Sequence, residues 1–273
     1  MTQNEQLTKK LTEYYNKFNE DKRLKSRHGQ VEYRITMKYV RKYLECIGKQ
    51  ARILDVGAGT GAYSIPLAAE GYEVHALELV KHNVQRLRAA SDEVHALQGN
   101  ALKLSKKFEK EYFDLVLVFG PMYHLFTHDD RMRVIEEVKK VLKPGGIVMI
   151  AYCMNDYAVI KHGFMEGTIR DAVANNKIDD SFNVVSDEDN LYDYVTLEEI
   201  DCLMVQSGLN RKVIFTPDGP TNYMRQFLRD MDDESFELFV RYVESISKRR
   251  DMLGVSAHLV DVLSNKTSDK DID

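Results

Sequence analysis

The sequence predicts an α/β fold, a doubly wound and mostly parallel sheet of seven strands, with N-terminal helices before it and helical cap insertions within it. Three observations carry this. From residue 51 onward, apolar runs of strand length alternate with runs of helical spacing. The first turn, "GAGTG" at 57–61, sets three glycines between an apolar run (Ile53, Leu54, Val56) and a helical one (Ile65, Leu67, Ala68). "FDLVLVFGP", at 113–121, is almost continuously apolar, as a central strand covered on both faces requires.

The elements follow in order. Leu7, Leu11, Tyr14, Tyr15 and Phe18 recur at helical spacing, and a second amphipathic pattern from Val31 to Ile47 stops at Gly48. The charged stretch between them, 19–30, contains Gly29 and is expected to be a loop; together residues 1–50 form an N-terminal helical lid. Strands are expected at about 51–56, 73–78, 94–98, 113–119 and 146–152, with helices near 61–69, 81–90 and 128–142. Thr127 caps the last of these, and "KPGG" at 143–146 separates it from the next strand.

The alternation then lapses. Residues 155–195 hold a helical stretch from Tyr157 to Val173 and an acidic, aromatic-bearing segment too long for a simple crossover, so they read as a cap insertion. Thr196 starts a capped helix that Gly208 ends, and "KVIFT" is the next strand. A second helical insertion, about 217–256, precedes the last apolar run, "AHLVDVL". The main domain is thus 51–266, and 267–273 is a frayed polar tail.

Composition narrows the function. The chain of 273 residues carries 38 basic and 43 acidic side chains, a net charge of −5, with no long block of one sign and hence no sign of general nucleic-acid affinity. Cys46, Cys153 and Cys202 are scattered and odd in number, which argues against a disulfide scaffold or a zinc ribbon and suits a reducing compartment. The polar first residues and the lack of a long apolar run point to a cytoplasmic protein without a membrane partner; the oligomeric state is not readable.

Three glycines in five residues weaken the backbone unless the turn must be sharp and must admit a ligand. In a doubly wound sheet that ligand lies beyond the carboxyl ends of the first and fourth strands. The spacing is G-x-G-x-G, whereas a dinucleotide pyrophosphate calls for G-x-G-x-x-G. Glu78 closes the second strand, where a carboxylate accepts both ribose hydroxyls; an adenosine-type ligand follows. "LDVGAGTG", Glu78, "GNA" at 99–101 and "FDLVLVFGP" together resemble the class I S-adenosylmethionine-dependent methyltransferases, most specifically over 51–152. "RLKSRHGQVEY", "GPMYHL" and "SAHLVDVL" look like a bacterial branch acting on small molecules.

The resemblance implies a Rossmann-like sheet and S-adenosyl-L-methionine as cofactor. Asp55 and the backbone of Gly57, Ala58, Gly59 and Gly61 would hold its methionine moiety, Glu78 its ribose and Leu79 one face of its adenine. Asn100 stands where the family usually has Asp, its amide oxygen still able to accept from the adenine amine. Ala101 would offer its N–H to the ring, the Phe119 carbonyl would face the methionine amine, and Tyr15 with Tyr14 would close over the cofactor unless both merely pack as an amphipathic face.

Methyl transfer from a sulfonium is a direct displacement that needs alignment and dryness, and no metal. "GPMYHL" follows the fourth strand, where Tyr123 could meet an acceptor and His124 could take a proton near neutral pH. The plainer alternative packs Tyr123 on a helix and spends His124 on a loop carbonyl. Gly120 replaces the amide expected of enzymes that methylate base amines, which disfavours a nucleic-acid substrate. The expected activity is therefore methylation of a small-molecule acceptor. The alternatives are RNA or nucleotide methylation, a nicotinamide-dependent oxidoreductase, and a non-catalytic sensor of the methyl donor. Arg23, Arg27 and Arg34 read as surface or loop anchors that could also hold an anionic substrate.

Overall fold

The computed structural model describes residues 9–14, 20–186 and 191–265. Tyr15 and the tail at 267–273 lie outside the described residues. One seven-stranded sheet has the order β3-β2-β1-β4-β5-β7-β6. Its strands are β1 (Arg52–Val56), β2 (Glu73–Glu78), β3 (Val94–Gln98), β4 (Phe113–Val118), β5 (Leu142–Cys153), β6 (Asn210–Phe215) and β7 (His258–Ser264). The first five are parallel, and β7 runs antiparallel between β5 and β6.

Alternate residues of the central strands feed two cores. Ile53, Leu115 and Leu117 face one, while Leu54, Val56, Val116 and Val118 face the other, all fully buried. A strand covered on both sides has no polar face to show, which is why β4 reads as continuous apolar sequence. Because β1 and β4 are neighbours with chain order reversing between them, a crevice opens beyond their carboxyl ends.

The stretch 19–30, expected to be a loop, is helical. α1 (Glu20–Lys25) breaks at Ser26, whose Oγ accepts the Gly29 N–H (3.3 Å) and caps α2 (Arg27–Ile47). Gly29 permits the close turn between them, since a Cβ there would lie 2.1 Å from the Arg23 carbonyl oxygen. α2 ends at Gly48, as its sequence predicts. α3 (Ser64–Ala69), α4 (Lys81–Ala90) and α5 (His128–Val141) follow their strands. Thr127 caps α5 through the Asp130 N–H, and the helix passes straight into β5. "KPGG" is therefore a bulge, not a break: Phe113 pairs with Leu142 and Leu115 with Ile147, leaving 143–146 looped out.

The first insertion is not one helix from 157 to 173. It turns through Asn155–Ala158, a π-helical stretch at Val159–Met165 and a short helix at Ile169–Ala174, interrupted at Gly167 with φ of 76°. α6 (Leu197–Ser207) has the reciprocal capping box of Thr196 and Glu199 and ends on left-handed Gly208. The second insertion lays α7 (Asp233–Ile246) along α2, tied by Arg27 to Asp233 (2.5 Å) and by a two-pronged pair of Arg34 with Glu237 (2.7 Å). Those two arginines are anchors between helices. No helix among the described residues is long and apolar enough to cross a membrane.

Candidate active site

A cavity of about 470 Å³ lies over the carboxyl ends of the strands. One end is walled by the glycine loop, Glu78, Leu79, Asn100 and Ala101, the other by Tyr123, His124, Arg225 and His258. Leu11, Tyr14, Tyr192 and Tyr194 reach it from the N-terminal region and the first insertion, with the Tyr14 and Tyr192 hydroxyls 3.3 Å apart.

Every expected cofactor residue within the described region lines the cavity except Gly61. Gly59 (φ 57°) opens on the cavity, and a Cβ there would meet nothing within 4 Å. Gly61 (φ 94°) has a packing role: a Cβ would sit 2.2 Å from Leu87 Cδ1 on α4. The spacing of the motif cannot tell a glycine that faces ligand from one that faces a helix.

Asp55, at the end of β1, is buried and accepts a 2.6 Å bond from Ser64 Oγ. Burial pushes its pKa up to about 6, against the Ser64 bond and with help from the Glu78 charge. Glu78 is also enclosed, 7% exposed. Its Oε2 accepts the Gly59 N–H (3.0 Å) and its Oε1 the Val80 N–H (2.8 Å), so it joins the glycine loop to the end of β2. Burial raises its pKa while those backbone donors pull the other way. Asn83 Nδ2 donates to Oε1 as well (3.4 Å), so of the roughly four acceptor positions of an ionised carboxylate one remains for a ligand hydroxyl.

Asn100 is first a helix cap: its Oδ1 accepts the Leu102 N–H (2.9 Å), leaving one lone pair of that oxygen for a ligand. The Phe119 ring meets Tyr63 edge-on (5.0 Å between centroids), and Tyr63 in turn lies 5.5 Å from Tyr33 of α2. This aromatic wall was not singled out in the sequence.

His124 follows the plainer reading. Its Nδ1 donates to the Leu191 carbonyl (2.5 Å), and burial lowers its pKa to about 4, the carbonyl bond opposing. Such an imidazole is neutral at pH 7 and a poor proton acceptor, so the expectation of a base near neutrality does not suit this environment. Tyr123 stays in the cavity wall, its centroid 5.9 Å from that of His258, and burial raises its pKa well above the ordinary phenol value. The loop carrying both is clamped to the first insertion: Asp193 N–H donates to the Tyr123 carbonyl (2.7 Å), and the Asp193 carboxylate pairs with Arg131 in full burial.

Sequence reasoning missed a cluster from three distant segments. His258 Nδ1 donates to Asp218 Oδ2 (2.7 Å), Asn222 Nδ2 donates to the same oxygen (2.7 Å), and Glu32 Oε2 lies 4.0 Å from His258 Nδ1. Arg23 grips both Glu32 oxygens (2.5 and 3.0 Å). Burial would lower the His258 pKa, but the Glu32 and Asp218 carboxylates drive it well above the ordinary value. Burial would raise Glu32, but Arg23 and His258 hold it down to about 2. Glu32, Asp218 and His258 are the one group among the described residues with metal-type donors in mutual reach. Arg23 already occupies the Glu32 oxygens, and the cluster alternates cation and anion, which makes it an ion-pair chain with no deficit for a metal to fill.

Comparison with known proteins agrees with this geometry. A family model described as a methyltransferase domain matches residues 53–146. That stretch runs from β1 into the start of β5 and takes in the glycine loop and Glu78. An uncharacterised methyltransferase of Mycobacterium tuberculosis is 33% identical over 105 residues, which are 38% of this chain and 41% of that one. A probable tRNA methyltransferase 9B of Bos taurus is 31% identical over 113 residues, 41% of this chain and 23% of that one. The matches thus span less than half of these relatives. A crystal structure of an S-adenosylmethionine-dependent methyltransferase from Methanosarcina mazei shares the fold with a TM-score of 0.54 at 16% identity, over 81% of this chain and 95% of that one. The open loop at Gly59 with two carboxylates beside it suits a nucleoside bearing a cationic amino acid.

Proposed function

We propose that this methyltransferase domain transfers a methyl group from S-adenosylmethionine to a small-molecule acceptor. The observation that carries the reading is the continuity of the cavity from Glu78 and Asn100 to Tyr123 and His258 under a cover of Tyr14, Tyr192 and Tyr194. A roofed chamber of this size fits a drug-sized ligand.

The cofactor supplies the electrophilic methyl. The glycine loop and Asp55 hold the amino-acid end, Glu78 takes the ribose, and Leu79, Asn100 and Ala101 border the adenine. Tyr123 aligns the acceptor, and the tyrosine cover keeps water out, so that approach and orientation supply much of the rate. His124 fixes the loop that carries Tyr123 through its bond to Leu191.

The test is incubation of the full chain with methyl-labelled S-adenosylmethionine and, separately, a metabolite extract and total tRNA. Label is expected in a low-mass product with release of S-adenosylhomocysteine. Label in tRNA alone overturns the small-molecule reading, and failure to bind S-adenosylhomocysteine overturns the methyltransferase reading.

A further inference from the structure

The far end of the cavity carries charged groups that the cofactor does not need. Asp218 Oδ2 accepts from His258 Nδ1 and Asn222 Nδ2, and Asn222 Oδ1 accepts from Arg225 Nε (2.9 Å) and Nη2 (2.5 Å). Arg225, Asn222, Asp218 and His258 are therefore one hydrogen-bonded chain, and both of its cationic ends line the cavity. Arg225 donates only to a neutral amide among the described residues. His258 commits Nδ1 to Asp218, and its Nε2 makes no hydrogen bond to a described residue.

We propose that Arg225 and His258 Nε2 form a subsite for the carboxylate of a planar acceptor, with Tyr123 and Tyr157 flanking its ring. This deepens the methyltransferase reading and rests on it.

The charges decide between acceptor classes. Around this end stand the cations Arg23, Arg225 and His258 and the carboxylates Glu32 and Asp218, with Tyr123, Tyr157, Cys153 and His28 near them and His162, paired with Glu166, beside Tyr157. Glu32 is taken by Arg23 and Asp218 by His258, so Arg225 is the charge left without a counterion in the cluster. An amine would add a further cation; a carboxylate balances the set and accepts from both donors. His28 adds nothing, because burial and then Arg225 and Arg23 lower its pKa to about 4. The elevated pKa of His258 keeps Nε2 a donor at neutral pH. The ring follows from the wall: Tyr123 and Tyr157 both line this cavity, Tyr123 with its centroid 5.9 Å from that of His258.

Benzoate and benzamide, equal in shape and unlike in charge, are the probes. Each is titrated into the S-adenosylhomocysteine-saturated full chain at pH 7, with Arg225→Gln and His258→Asn alongside; the asparagine amide can keep the bond to Asp218. Benzoate is expected to bind at least about tenfold more tightly than benzamide, each variant to lose most of that preference, and S-adenosylhomocysteine affinity to stay unchanged. Benzoate binding no tighter than benzamide, absence of benzoate binding, or a preference that survives in both variants overturns the subsite. Failure of S-adenosylhomocysteine itself to bind overturns the methyltransferase reading instead.

Discussion

The two ends of the cavity are built differently. The end proposed for the cofactor comes from short-range pieces: Asp55, the glycine loop, Glu78 and Asn100 stand at or just beyond the ends of successive strands, held by backbone N–H groups and the Ser64 hydroxyl within 20 residues of their acceptors. The end proposed for the acceptor is assembled from Arg23 and Glu32 in the N-terminal helices, Asp218 and Arg225 in the second insertion, and His258 at the start of β7. Local hydrogen bonds hold the first. Buried charge pairs between distant segments hold the second, and such pairs tolerate the loss of a partner poorly.

The largest effect should come from Arg131→Ala. The Arg131 and Asp193 side chains are 7% and 3% exposed, and the pair fastens the first insertion to the loop bearing Tyr123 and His124. Removing the guanidinium leaves a buried carboxylate uncompensated, a loss of about 3–5 kcal/mol. Chemical denaturation measures it, and calorimetry should find S-adenosylhomocysteine binding preserved in the molecules that remain folded. Loss of that binding in folded protein would show that the two ends are not separable.

Glu78→Ala comes next and bears on the local end. If Glu78 takes the ribose as proposed while it bonds two backbone N–H groups and Asn83, it does both jobs at once, so the variant should lose about ten- to a hundredfold in S-adenosylhomocysteine affinity and also unfold at a lower temperature. Unchanged affinity would remove Glu78 from the cofactor site and leave it a clasp for the loop.

This contrast also explains what was legible in the sequence. The sheet, its β1–β4 switch and the glycine loop were readable because strand alternation and turn chemistry are local signals. The helical character of 20–25 was hidden because its support is tertiary: the Arg23–Glu32 pair and the contact at Gly29 appear only once the two helices meet. "KPGG" gave a true turn signal but not its place inside a strand, which depends on Leu142 pairing with Phe113. His258 stands in the quoted stretch "SAHLVDVL", but Asp218 lies 40 residues before it and no local pattern marks their pairing. His124 did stand in a visible motif, yet what decides its chemistry is a carbonyl 67 residues away.

The two histidines give the smallest and most discriminating prediction. His124 has its pKa lowered to about 4, so between pH 6.5 and 4 the unfolded chain binds a proton that the folded chain refuses, and its contribution to stability falls as the pH drops through that window. Asp55, raised to about 6, acts in the opposite sense over the same range, and His28, also about 4, in the same sense, so each pH must be compared between wild type and His124→Asn. The asparagine amide can keep the bond to Leu191, and the difference in melting temperature should shift in favour of the variant as the pH falls from 6.5 to 4. His258 is the mirror case: its raised pKa means that the folded chain holds a proton the unfolded chain has lost above pH 6.5, so its stabilisation is complete below that pH and disappears as the pH rises through the folded value. Wild type should therefore lose its advantage over His258→Asn on the alkaline side, while His124→Asn runs parallel to wild type there. A histidine that titrates near neutrality at position 124 would show no acid-side divergence, and would return to Tyr123's neighbour the role of base that its burial and its carbonyl partner now deny it.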